Sequence, residues 1–330
     1  MTKLNYEITQ VNSPFEDTAF FMRNVYKPDA LLFDCGRIGA LSNSDVLSIT
    51  EILISHTHID HFYGFDRILR GTLLSGKKFR VFGPPGIIKN VQGKIDSYTW
   101  NLIKSYPVSY EVIELNEDEN EFKTAGFSAA NGFEREEGSI KRSELRLSGD
   151  FRLDFTFFDH RVPSVGYRVT EPPMVSVVKE KIATNGFVSG KWLAELKDKV
   201  LAGELSGKIE AETSDGLKLM SVGDVAEKII EPVKSQSVTY ITDIAPSFEN
   251  VQKAIKFAND STVLLIEGMF MKKDVLHANF KKHLTLDLSK YIYHESGSEL
   301  ARFFHFTSRY DSCKKELYDM LYKGMKGKIL

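Results

Sequence analysis

Short apolar runs that end in a polar residue recur along this chain, and their lengths set the element pattern. Glu51-Ile52-Leu53-Ile54-Ser55 has the length and composition of a buried strand. Ala19 to Met22, Ala30 to Phe33, Lys77 to Phe82 and Tyr110 to Leu115 read the same way, as do Phe151 to Phe158, Arg161 to Val169, Ser237 to Thr242, Thr262 to Ile266 and Leu300 to Phe304. Between them lie stretches of helical spacing: Phe62 to Arg70 after a turn, Ile87 to Tyr98, Val251 to Phe257, His283 to about His294, and a basic amphipathic stretch from Lys314 to Lys328. Gly83-Pro84-Pro85-Gly86 closes one strand with a turn. Glu117 to Glu121 reads as a solvated acidic turn, and residues 131–148 as an exposed hairpin or loop.

The residues that end these runs carry the chemistry. His56-Thr57-His58-Ile59-Asp60-His61 follows the strand at 51–55, placing three imidazoles and a carboxylate within six residues. Nitrogen and carboxylate oxygen are zinc's usual ligands other than sulfur. One short loop can aim His56 and His58 at one ion, while Asp60 and His61 turn toward a second beside it. Packing these groups together without a cation would leave buried polar atoms unpaired, at several kcal/mol. His160, Asp243, His283 and His305 also stand at the end of an apolar run or just outside one, so six of the eight histidines are gathered at such positions. Asp34 closes the run Ala30 to Phe33 and reads either as a turn residue or as an acceptor for a ligand imidazole.

Composition narrows the class. The 330 residues are 42% hydrophobic and 27% charged, ordinary for a globular chain with a large core. The net charge of −2 gives no global basic field, so a polyanion would have to be held by local patches. Met1 to Ile8 has no apolar core of a signal peptide, and no run of about 18 apolar residues predicts a membrane span. Cys35 and Cys313 are far apart, which fits a reducing, cytoplasmic setting and argues against sulfur-bound zinc. Residues 171–216 differ in character, with Pro172-Pro173, several glycines and Lys179, Lys181, Lys191, Lys197 and Lys199. They read as an insertion or arm with short helices such as Trp192 to Val200, and the lysines fit a solvated face or an RNA contact.

The chain resembles the metallo-β-lactamase superfamily and, within it, ribonuclease Z, the tRNA 3′-end endonuclease. The resemblance runs through Leu32-Phe33-Asp34-Cys35-Gly36, the HTHIDH core with Gly64, Gly83-Pro84-Pro85-Gly86, His160 with Gly166-Tyr167-Arg168, Asp243, His283-Leu284-Thr285 and His305-Phe306-Thr307-Ser308-Arg309-Tyr310. It implies an α+β fold, a four-layer αββα sandwich forming a single domain with an inserted arm at about 171–216. It also implies two zinc ions: one held by His56, His58 and His160, the other by Asp60, His61 and His305, with Asp243 bridging them. Asp60 would orient or deprotonate the attacking water, and His283, paired with Glu267, would stabilise the transition state or protonate the leaving oxygen. The implied partner is precursor tRNA and the implied assembly a homodimer.

Two departures keep a second substrate class open. The family's His-Glu-Ala-Thr-Phe appears here as Ile266-Glu267-Gly268-Met269-Phe270, and residues 171–216 match the family's tRNA-gripping arm only loosely. The alternative is a hydrolase of the same fold acting on a cyclic nucleotide, lactone or thioester. A pseudoenzyme that only binds RNA fits the intact ligand set poorly.

Overall fold

The computed structural model describes residues 4–24, 29–325 and 329–330. The chain divides into two compact units, Met1–Thr170 with Gln236–Leu330, and Glu171–Ser235.

In the first unit, one sheet runs in chain order through β1 (Tyr6–Gln10), β2 (Phe20–Asn24), β3 (Ala30–Phe33), β4 (Ile49–Leu53), β5 (Lys78–Gly83), β6 (Ser109–Glu114), β7 (Glu121–Ser128) and β8 (Arg135–Lys141). β3 to β6 are parallel and the flanking pairs antiparallel. The chain continues with β9 (Arg152–Asp159) and β10 (Pro163–Thr170), crosses the second unit through β11 (Met174–Val177), β12 (Lys208–Thr213), β13 (Gly216–Ser221) and β14 (Ile230–Val233), and returns as β15 (Ser237–Ile241), β16 (Val263–Glu267) and β17 (Leu300–Phe304). The second sheet has the order β17-β16-β15-β10-β9, with β15, β16 and β17 parallel.

Alternation along the strands builds the layers. Leu31 and Phe33 of β3 face Val263 and Leu265 of β16 in a core between the two sheets, joined by Phe20, Tyr167, Tyr240 and Phe304. Their neighbours point the other way. Ala30 and Leu32 pack under α1 (Asn43–Ser48), α3 (Phe65–Thr72) and α4 (Ile87–Asp96), through Val46, Ile68 and Val91. Leu264 and Ile266 pack under α8 (Phe248–Phe257), α10 (Leu286–Ser296) and α11 (Lys314–Tyr322), through Val251, Ile292 and Leu317. A side-chain period of two thus feeds two cores from each sheet, giving helix, sheet, sheet, helix. This is the αββα arrangement expected from the resemblance.

The second unit has its own small core of Trp192, Leu196, Ile209, Val222 and Val225, built by α5 (Lys179–Thr184), α6 (Trp192–Leu201) and α7 (Val222–Ile229). Two antiparallel strand pairs, β11 with β14 and β12 with β13, complete it. The sequence reading anticipated short helices here and missed the strands. β13 does alternate at Leu217-Lys218-Leu219, but both leucines are exposed, and the glycines and lysines around it read as a loop-rich arm.

Three further differences are local. The polar stretch Leu41-Ser42-Asn43-Ser44-Asp45, which reads only as a connection to β4, opens the helix α1, held by a capping box in which Ser42 and Asp45 bond each other's backbone N–H. α9 (Val275–Lys281) was not anticipated, since Ala278 is its one fully buried residue. The helix read as Lys314 to Lys328 ends at Tyr322, and 326–328 lie outside the described residues.

Short helical pieces follow β4: α2 (Ile59–Phe62), whose cap residue is His58, and then α3. The loop carrying them is locked onto the segment after β3, because the N–H of Cys35 donates to the His61 carbonyl and that of Gly64 to the Cys35 carbonyl. Gly36 sits in the seam. A Cβ there would lie 2.0 Å from the Asp60 carbonyl oxygen and 2.8 Å from the Asp17 carbonyl carbon. Gly36→Ala is therefore expected to cost about 1–3 kcal/mol by overpacking. Urea unfolding should show a lower midpoint at unchanged slope, together with weakened metal retention because Asp60 and His61 ride on the displaced backbone.

Candidate metal centre

Seven side chains from loops at neighbouring strand ends converge between the two sheets. The β4 end supplies His56, His58, Asp60 and His61, and the turn between β9 and β10 supplies His160. Asp243 follows β15 and His305 follows β17. Parallel pairing of β15, β16 and β17 brings the ends of these strands to one edge, which is why residues 62 positions apart meet. Backbone conformation is unusual there. Asp34, Arg161, Asp243, Lys282 and His305 all have positive φ, between 49° and 65°, although none is glycine. Each such residue costs of order 1–3 kcal/mol and persists where surrounding structure over-determines it.

Asp243 is the centre of the arrangement. Its Oδ2 lies 3.6 Å from His56 Nε2 and 3.4 Å from His160 Nε2. Its Oδ1 lies 3.4 Å from His61 Nε2 and 2.8 Å from His305 Nδ1. One carboxylate oxygen therefore faces each histidine set. Asp60 Oδ2 completes the second set, 3.6 Å from His61 Nε2 and 3.5 Å from His305 Nε2. His58 completes the first, its ring centroid 4.4 Å from that of His56 and 5.4 Å from that of His160. Donor atoms of His56, His58, His160 and Asp243 lie within 4.8 Å of one another, as do those of Asp60, His61 and His305.

These spacings fit cations. A tetrahedral ion with nitrogen ligands at about 2.0–2.1 Å holds its ligand atoms roughly 3.3–3.4 Å apart. Most of the N···O separations are close to that, and too long for hydrogen bonds. His56 Nε2 and His61 Nε2 are buried without a hydrogen bond among the described residues. Buried imidazole nitrogens need a partner, and a metal supplies it.

The opposite ring nitrogens are held. His61 Nδ1 donates to Asp34 Oδ2 at 2.7 Å, and His160 Nδ1 donates to the Lys282 carbonyl at 2.8 Å. Both bonds fix the tautomer that leaves Nε2 free to coordinate. Asp34 is thus the acceptor for the His61 imidazole rather than a turn residue alone. It is fully buried and also accepts from the Ser55 N–H, the Ser55 hydroxyl and the Tyr240 hydroxyl, the last at 2.5 Å. The reading from residue types overlooked Ser55, Tyr240 and the Lys282 carbonyl; the β3 run ending in Asp34-Cys35-Gly36 was the visible trace of this network.

His283 and Glu267 form a separate pair beside the centre. Glu267 ends β16, with Oε2 2.9 Å from His283 Nδ1 and Oε1 accepting from the Ile244 N–H. His283 Nδ1 is 3.9 Å from Asp243 Oδ2, and its ring centroid is 4.7 Å from that of His160. All nine site residues singled out from the sequence therefore gather in one place. His58 is exposed and Asp60 half-buried, so the centre opens to solvent on their side.

Charges follow the geometry. Burial, then the charge of His61, pushes His56 well below the ordinary histidine range, which keeps it neutral. Burial works against charging His61 and His305, but the Asp243 carboxylate outweighs it. His61 rises well above its usual value and His305 to about 10.

No family model matches the chain. Among curated relatives, ribonuclease Z of Deinococcus radiodurans is 24% identical over 286 residues, covering 85% of this chain and 83% of that protein. Ribonuclease Z of Nanoarchaeum equitans is 28% identical over 307 residues, covering 90% and 80%. A solved metallo-β-lactamase-fold protein of Bacillus subtilis superposes with a TM-score of 0.54 at 12% identity, covering 98% of this chain and 95% of its own.

Metal uptake must displace the protons on His61 and His305. Apparent affinity for a divalent cation should therefore rise with pH up to the value of about 10 set by His305. Calorimetry in buffers of different ionisation heat should register proton release. Affinity that is flat in pH would contradict the assignment. Fold, donor set and relatives agree: the chain has the metallo-β-lactamase fold, and its sequence is similar to that of ribonuclease Z over most of its length.

Proposed function

We propose that this chain is a zinc-dependent endoribonuclease that removes the 3′ trailer of precursor tRNA. The observation that carries the reading is the Asp243 carboxylate, set between two histidine groups with one oxygen toward each. The relatives bearing the name ribonuclease Z support the substrate class. In this reading His56, His58 and His160 would hold one zinc and Asp60, His61 and His305 the other, with Asp243 shared between them. Bound in this way, two zinc ions supply an activated water and offset negative charge on the attacked phosphate.

The protein's own groups do the rest. Asp60, on the open side, orients the attacking water and takes its proton. The leaving group is a ribose 3′-oxygen, which departs poorly without a proton. His283 delivers that proton from Nε2, while Glu267 holds Nδ1 and fixes the ring. Burial disfavours a charged His283, but the Glu267 carboxylate, followed by Asp243, outweighs it and raises the pKa above the ordinary range. An acid needs that sign, since it must enter the reaction protonated. Residues at about 171–216, within the unit Glu171–Ser235, are read as an arm inserted in a single catalytic domain. In a cytoplasmic homodimer, one subunit's arm would hold the tRNA whose 3′ end enters the other's centre. Among the described residues no helix is long and apolar enough to cross a membrane.

The test is incubation of the purified protein with a precursor tRNA bearing a 3′ trailer. Cleavage should leave a 3′-hydroxyl on the tRNA, and it should be lost on chelation and in Asp60→Ala. Turnover of cyclic nucleotides, lactones or thioesters with intact RNA would instead favour the small-substrate reading. Glu267→Gln should lower kcat by about 10²–10⁴-fold. It should also move the alkaline limb of the kcat profile to lower pH, because the charge that raises the His283 pKa is gone. An unmoved limb would exclude His283 as the acid.

A further inference from the structure

α9 departs from the usual economy of a surface helix, because its solvent face is apolar. Leu276 is 83% exposed and Phe280 is 64% exposed, one helical turn apart on the same face. α9 nonetheless ends at the catalytic centre. His283 is anchored by its N–H to the Ala278 carbonyl, and the Lys282 carbonyl holds the ligand His160. A series of rings links the centre to this face. The His283 and Phe270 centroids are 6.3 Å apart, Phe270 and His277 5.1 Å, and His277 and Phe280 6.4 Å.

Arg161, the residue after His160, comes to the same place. Its Nη2 donates to the Phe280 carbonyl at 3.0 Å, and its guanidinium carbon lies 5.8 Å from the Phe280 ring centroid. The side chain is aimed by its turn: φ is 62°, and its N–H donates to Asp159 Oδ1 at 2.9 Å. Lys281 stands exposed beside Phe280 and Lys272 at the entry to α9. An apolar face on its own would suit a protein partner equally well. A rigidly placed guanidinium, flanking lysines and a phenyl ring beside a phosphodiester-cleaving centre instead match a polyanion with flat, stackable groups.

We propose that Phe280, with Arg161, is a stacking platform for an unpaired nucleobase of the RNA strand next to the scissile phosphate. The base lies on the open phenyl ring, and the guanidinium meets the adjoining backbone phosphate. Recognition is sequence-tolerant, because every base offers a π-face. This inference rests on the endoribonuclease reading above and names how that site holds its substrate.

The experiment is a thermodynamic cycle on binding. RNA strands spanning the cleavage position carry one abasic site, moved along the flank in successive strands. Their affinity for the metal-loaded protein is measured by fluorescence anisotropy, alongside cleavage of the parent RNA. Phe280→Ala should raise Kd about 5- to 100-fold on the intact strand. One abasic position should raise it similarly for the wild type, and that position should add nothing further in Phe280→Ala. Phe280→Trp should restore binding. Independent, additive effects, or unchanged Kd while the wild type still cleaves RNA, would overturn the platform and leave the endoribonuclease standing. Dissociation of an oligomer in Phe280→Ala without loss of RNA affinity would assign the face to a protein contact and overturn it too. A wild type that neither binds nor cuts RNA would bring down both readings.

Discussion

Buried carboxylates facing buried imidazoles are the constraint on which this molecule turns. Asp34, Asp243 and Glu267 are almost wholly removed from water, together with His56, His61 and His305. Ions of this size cost several kcal/mol each to bury, even after relaxation. Asp34 meets that cost with four hydrogen bonds and Glu267 with His283 and a backbone N–H. Asp243 accepts from the Thr242 hydroxyl and faces the rings of His305, His61 and His283, which favour its charged form. The fold supplies the rest of the constraint. Two sheets pressed face to face make a dry interior, and parallel strands deliver their ends to one rim of it.

The rim concentrates strain as well as charge. Five residues there, none of them glycine, adopt left-handed backbone conformations, two being the metal-facing Asp243 and His305. A chain leaving a strand normally continues extended or turns through glycine. Here the turn is forced on aspartate, lysine, arginine and histidine, and at Asp34, Asp243 and His305, which follow β3, β15 and β17, the side chain is buried in the site. Stability given up at the rim is compensated in the core between the sheets, where Phe20, Phe33, Tyr167, Tyr240 and Phe304 are fully buried.

Much of this was legible in the residue order. Most strands of the first unit alternate or run continuously apolar, the exposed β8 being an exception, and the ends of several carry the histidines and carboxylates of the site, so locating those strands located it. The departures have physical reasons. β12 and β13 lie among glycines and lysines that read as a loop-rich arm, and α9 buries Ala278 alone while its apolar stripe of Leu276 and Phe280 faces outward. Tyr240 meets Asp34 across 206 positions and Lys282 meets His160 across 122, contacts that no local pattern announces. Glu267 stood out only through the resemblance to ribonuclease Z; its bond to His283 is a product of strand order.

The Tyr240 hydroxyl gives the centre a mechanical reach beyond coordination. It belongs to one sheet, and the carboxylate that receives it extends from the other. That carboxylate in turn grips the ring of His61. Prying the two sheets apart would tug on a ligand, and filling the centre would clamp them together. Heated slowly, the molecule would then release its ions and lose its layered packing in one cooperative event.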